Sequence, residues 1–156
     1  MPQNINTLSK KIHFYVEEID FQIKHKAIIR AWIGKQISYA NHEANEINYI
    51  FVSDEYLYKI NLEQLQHDYY TDIITFPYHE PESKKLHSDI YISIDRVREN
   101  ATTHQVSFET ELHRVMIHGV LHLLGYDDHE DNDIQSMRKA EEEALHNLSL
   151  LFHVEQ

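Results

Sequence analysis

The chain has 156 residues, 42% hydrophobic and 26% charged, with a formal net charge of −12. That size and balance fit one soluble globular domain, residues 1–156, able to bury its own core. The absence of cysteine excludes a disulfide framework and thiolate metal sites, and the acidity excludes whole-surface attraction to nucleic acid, so any RNA contact must be local. No apolar run is long enough to span a membrane, and Met1-Pro-Gln-Asn-Ile-Asn lacks a signal-peptide pattern, so the expected location is cytoplasmic.

In chain order, Ile12-His-Phe14-Tyr-Val16 is a short β-rich run and a first strand. From about residue 24 to 38, Ala27, Ile28, Ala31, Trp32 and the stem of Lys35 recur at helical spacing. Lys24, Lys26, Arg30 and Lys35 make this helix the densest basic group, read as a solvated face in preference to an RNA-binding patch. Residues 41–46 read as a polar loop, and Ile47 to Val52 as a central strand. Ser53, followed by Asp54 and Glu55, supplies an N-cap and acidic first turn for a helix through about Gln66, carrying Leu57, Ile60, Asn61 and Leu65. Residues 71–76 form a third strand ended by Pro77, residues 79–88 a charged loop, and residues 89–93 a fourth strand. A helix runs from Asp95 to about Thr103, and Ser107 caps a longer one. Asp133 caps the last helix, about residues 134–148, with Met137, Ala140, Ala144 and Leu148 inward and Glu141, Glu142 and Glu143 on an exposed face. The order β-α-β-α-β-β-α-α-α implies an α+β fold: one mixed four-stranded sheet flanked by helices.

The long helix ends in His118-Gly-Val-Leu-His122-Leu-Leu-Gly125-Tyr-Asp-Asp128-His129. His118 and His122 are four apart, so their imidazoles project from one helix face and can share a metal ion about 2 Å from each. The chain has only 3 glycines, and Gly119 and Gly125 both fall here. Gly119 lies inside the helix, where glycine costs about 1 kcal/mol against alanine, so something needs close access to that backbone. Gly125 stops the helix by taking the left-handed conformation after the cap. The returning loop then offers Asp128 or His129 as a third ligand, and three protein ligands leave the open position of a catalytic zinc site. Arg114 stands one turn before His118, placed to meet an anionic group near the metal or to pair with Glu111 or Glu109. Glu111 is a candidate acceptor for orienting a ligand or a solvated helix charge. Asp72 is a polar group at the cleft edge or a strand-start residue. The remaining histidines have no motif support.

His118-Gly-x-Leu-His122-Leu-x-Gly125-Tyr-Asp, preceded by Glu111-Leu-x-Arg114-Val-Met-Ile, resembles the YbeY family of zinc-dependent endoribonucleases of bacterial ribosomal RNA maturation. The resemblance continues in Asn61...Asp68-Tyr-Tyr-Thr71-Asp72-Ile-Ile-Thr-Phe76-Pro77, in Ser88-Asp89-Ile90-Tyr-Ile-Ser93 and in Met137...Glu141, so it spans most of residues 46–145. It implies one Zn2+ per chain, held by His118, His122 and either Asp128 or His129, with Arg114, His118 and His122 as catalytic residues. It further implies single-strand-specific cleavage in maturation of the 3′ end of 16S rRNA and in ribosome quality control. The implied partners are ribosomal RNA precursor and the small ribosomal subunit, with no DNA and no membrane.

The chain departs from related patterns at three points. Zincin spacing puts the third ligand ten residues after the first, at Asp128, whereas the family carries histidine there. Asp-Asp-His reads as one inserted residue, which moves the histidine to 129. Peptidase zincins have glutamate after the first histidine, and Gly119 stands in that place, which disfavours a peptidase. The family's arginine three residues before Asp68 is Leu65, so another cation such as Arg114 or Lys59 would substitute. Two functions therefore follow: the zinc-dependent endoribonuclease, and alternatively a metal-stabilised ribosome-assembly factor that binds RNA or a ribosomal protein with little catalysis.

Overall fold

A computed structural model describes residues 10–154, and the expectation about residues 1–6 lies outside them. The elements are β1 (Ile12–Val16), α1 (Lys26–Tyr39), β2 (Glu43–Val52), α2 (Asp54–Leu65), β3 (Ile73–Pro77), β4 (Lys85–Ser93), α3 (Ile94–His104), α4 (Phe108–Leu123) and α5 (Asp131–Val154). The four strands form one mixed sheet in the order β1-β2-β4-β3. β1, β2 and β4 run parallel and β3 runs antiparallel on β4. This is the α+β architecture expected.

Alternation along β2 separates two apolar layers. Ile47, Tyr49 and Phe51 face a large core with Trp32 of α1, Met116 and Val120 of α4, and Met137, Ala144 and Leu148 of α5. Ile50 and Val52 face the opposite way, onto Leu57 of α2 and Ile74 of β3. Two buried polar groups tie the first layer together: Trp32 Nε1 donates to the Ala144 carbonyl at 2.7 Å, and the Tyr49 hydroxyl donates to the Met116 carbonyl at 2.9 Å. Buried donors satisfied in this way avoid a desolvation penalty of about 1–3 kcal/mol each.

Three helices start on a serine whose hydroxyl accepts a backbone N–H three residues on: Ser53 from Tyr56, Ser93 from Arg96 and Ser107 from Thr110, each at 3.1 Å. Several expected boundaries move. The polar residues 43–46 open β2 instead of forming a loop, and β4 begins at Lys85 inside the expected charged loop. The polar residues at these ends face each other across the parallel pair, Lys85 to Glu43 at 3.8 Å and His87 to Glu46 at 3.5 Å, while Ala44 and Leu86 between them pack on the core. β3 begins at Ile73, after Thr71 and Asp72. α5 begins at Asp131 and runs to Val154, which puts Asp133 in its first turn and not at the cap. On α1 the buried positions are Ile29, Trp32, Ile33, Gly34 and Ile37, so the inward stripe is turned from the expected one. Arg30 lies over Phe14 and donates to the Ile12 carbonyl at 3.0 Å, a structural use within the basic group of α1.

Candidate metal centre

α4 is buried along most of its length and crosses the sheet closely at Gly119. A Cβ there would sit 2.9 Å from Ile73 Cδ1 and 3.3 Å from Ile90 Cγ2. The glycine therefore lets the helix carrying His118 rest directly on β3 and β4, which is the close approach expected. At the C-terminus, Gly125 adopts φ +104°, and two bonds reach back past it, Gly125 N–H to the His122 carbonyl and Tyr126 N–H to the Leu121 carbonyl, each at 3.0 Å. This Schellman arrangement turns the chain sharply and returns residues 126–128 over the last turn of the helix.

The turn completes a constellation. His118 Nε2 and His122 Nε2 lie 3.0 Å apart. Asp128 Oδ2 lies 3.5 Å from the first and 3.3 Å from the second. The far nitrogens are both engaged: His118 Nδ1 contacts Glu141 Oε2 at 2.7 Å and His122 Nδ1 contacts the Tyr126 carbonyl at 3.0 Å. A carbonyl and an ionised carboxylate only accept, so in the neutral imidazoles both protons sit on Nδ1 and both Nε2 atoms present lone pairs. Two lone pairs and a carboxylate oxygen thus converge on one point, an arrangement that repels itself and could hold a metal ion.

His129 stands apart. Its side chain is 81% exposed and pairs with Asp127 at 3.3 Å. Asp127, Asp128 and His129 also form a group on the loop, all three exposed. Of the two loop residues, then, Asp128 joins the histidine pair and His129 points to solvent.

A cleft of about 560 Å3 opens beside the pair, lined by Asp72, Arg114, His118, Asp128 and Arg138 among others. Arg114 donates from Nη1 to Glu141 at 3.1 Å and lies 3.9 Å from Glu111, so of its two expected partners Glu111 is beside it and Glu109 is not, and Glu141 is a partner the sequence did not indicate. Glu111 is buried and contacts His104 at 3.4 Å and Arg114, with no bond to a candidate ligand. The carboxylate that does hold His118 is Glu141, 5% exposed, where an outward-facing helix charge was expected. Burial pushes the Asp72 carboxyl above the ordinary carboxylate range, against the charges of His118 and Arg96. Its place in the lining makes it a cleft residue. Burial works against the His118 imidazolium, but the Glu141 hydrogen bond and the charges of Glu141, Asp72 and Asp128 raise its pKa above the usual histidine value. Leu65 is 38% exposed at the end of α2, and neither it nor Lys59 lines the cleft, leaving Arg114 as the cation nearest the pair in sequence.

The family model described as Endoribonuclease YbeY matches residues 11–149. A curated endoribonuclease YbeY of Amoebophilus asiaticus is 49% identical over 130 residues, covering 83% of this chain and 88% of the relative. That of Flavobacterium psychrophilum is 50% identical over 139 residues, covering 89% and 95%. Among solved structures, the solution structure of TM1509 from Thermotoga maritima matches with a TM-score of 0.64 and 26% identity, over 92% of this chain and 93% of that one.

Proposed function

This chain belongs to the endoribonuclease YbeY family, and from that premise we propose that it is a zinc-dependent endoribonuclease whose metal is held by His118, His122 and Asp128. Its enzyme class is that of the family, a hydrolase acting on RNA phosphodiester bonds with a role in ribosomal RNA maturation. More finely, the substrate is single-stranded RNA at the 3′ end of 16S rRNA precursor, and the cleavage also serves ribosome quality control. The small ribosomal subunit is the partner, the cytoplasm is the location, and residues 1–156 act as one domain. The alternative of an assembly factor with little catalysis gains no support from these observations.

The observation that carries the metal is the convergence of two bare Nε2 atoms and one carboxylate oxygen, spaced 3.0, 3.3 and 3.5 Å apart. A tetrahedral ion with bonds of about 2.0–2.1 Å spaces its ligands by roughly 3.3 Å, close to the three separations here, which supports reading the ion as zinc. Nitrogen and carboxylate oxygen are donors zinc accepts, and three protein ligands match the catalytic pattern instead of the closed four-ligand structural one. When bound, the ion supplies Lewis acidity toward a phosphodiester.

The protein's own groups supply the rest. Arg114 is anchored by Glu141 and Glu111 through Nη1 and Nε, and Nη2 has no partner among the described residues. Arg114 lines the cleft, and this unpaired nitrogen is the group that binds a phosphate oxygen and stabilises the charge developing there. Gly119 occupies the position where a peptidase zincin has its glutamate base, and Asp72 is a separate carboxyl in the cleft wall.

The test uses wild type, His118→Ala and His122→Ala purified alike, stripped of metal and offered single-stranded RNA with and without zinc. Cleavage restored by zinc in wild type and reduced at least about 100-fold in both variants is the expected result. Equal cleavage in all three would identify a contaminating nuclease and remove the proposal.

A further inference from the structure

We propose that Glu141 is a positioning residue of the metal site: its carboxylate, locked by Arg114, fixes the tautomer and ring orientation of His118 and so sets metal affinity from a different helix. This rests on the metal site proposed above and extends it to a residue 23 positions beyond His118, on α5.

Glu141 is 5% exposed, and an ionised carboxylate is rarely buried unless each oxygen has a partner. Here both are engaged, and differently. Oε1 accepts from Arg114 Nη1 at 3.1 Å, which anchors the group. Oε2 accepts from His118 Nδ1 at 2.7 Å, a separation typical of charge-assisted bonds. If burial alone explained the residue, the arginine pair would suffice. The second oxygen is spent on the one imidazole nitrogen whose protonation frees Nε2 for a metal. An acceptor behind a ligating histidine also raises the basicity of the ligand atom. The two histidines are unequal in this respect, because His122 leans on the neutral Tyr126 carbonyl while His118 leans on a full charge. His118 is therefore the stronger donor, and its strength is set by α5.

The proposal is tested on metal-free full-length protein by competing zinc against a chromophoric chelator, in wild type, Glu141→Gln, Glu142→Gln and His122→Ala. Glu142 also lines the cleft and carries the same charge, but no bond joins it to His118 among the described residues. The expected result is a zinc dissociation constant about 10–100-fold higher in Glu141→Gln and within about twofold of wild type in Glu142→Gln. Equal affinity in Glu141→Gln and wild type, with His122→Ala defective, overturns the positioning role and leaves the metal site standing. No zinc binding in wild type overturns the metal site, and the positioning role with it. A second readout needs no variant to fold. Ring-nitrogen NMR of metal-free wild type above pH 8 is expected to show His118 protonated on Nδ1 and bare on Nε2. The opposite tautomer overturns the proposal.

Discussion

His113 offers a sharp test of how the core is built, because it is a histidine kept uncharged by its surroundings. Its side chain lies on the buried face of α4, edge-on to Trp32 with ring centroids 6.1 Å apart, and Nε2 has no hydrogen-bond partner. Burial, with a smaller contribution from His25, lowers its pKa from the ordinary 6.5 to about 4. The sign follows by linkage: between these values the unfolded chain holds a proton that the native chain refuses, so stability falls as pH falls. With about 1.36 kcal/mol per pKa unit, the loss relative to pH 8 is about 2 kcal/mol at pH 5 and about 3 kcal/mol at pH 4. Glu109 Oε2, at 3.9 Å from Nε2, recovers part of this if the ring does charge, so these are upper figures. The assay is urea unfolding of chelator-treated wild type and His113→Phe across pH 8 to 4.5. Other carboxylates and histidines titrate in both proteins, so the difference between the curves isolates position 113. The variant is expected to lose less stability toward acid, with the gap opening below about pH 6.5. Curves that stay parallel would show that His113 is charged or solvated in the native state, and the reasoning about this face of α4 would fail.

Ser107→Ala removes the cap of α4, and a loss of about 1 kcal/mol in urea unfolding is expected. Gly125→Ala meets no atom within 4 Å, so its penalty is purely the φ of +104°, about 1–3 kcal/mol by denaturation. Because the same turn presents the Tyr126 carbonyl to His122, zinc affinity in the chelator assay is expected to fall as well. Elemental analysis is expected to find about one zinc per chain in wild type and His129→Ala and none in Asp128→Ala, which also loses RNA cleavage. Retention of metal by Asp128→Ala alone would shift the third ligand to His129.

The fold was legible where local chemistry and apolar period agreed. Ser53 with Asp54 and Glu55, and Ser107 before α4, mark helix starts that hold in three dimensions. The strands at Ile12–Val16 and along the apolar half of β2 are equally plain, since Ile47, Tyr49 and Phe51 alternate with Asn48 and Ile50. Strand ends were hidden because polar residues complete β2 and β4 by pairing across the parallel ladder, a tertiary contact that no local window contains. The rotation of the buried stripe on α1 has a similar origin. Its isoleucines fit both candidate faces, and the contacts with α5 through Trp32 and Ala144 select one of them.

The approach of His118 to His122 was legible from spacing alone, and which loop residue joins them is decided by the turn that follows. Once Gly125 forces a Schellman turn, the path from His122 to the loop is fixed, and a one-residue offset sends the side chain the other way. Asp128 faces the histidines and His129 faces water for that reason. Glu141 was missed for a different one. Grouped with Glu142 and Glu143, it reads as part of a solvated run. By helical arithmetic it belongs with Met137, Ala144 and Leu148, at intervals of four, three and four, and all three of these are buried. A carboxylate inside an apolar stripe requires a partner of its own. In this chain the groups waiting opposite are Arg114 and His118, one turn apart on the helix that carries the histidine pair. The same residue that breaks the apolar pattern of α5 is therefore the one that joins this helix to the chemistry of α4.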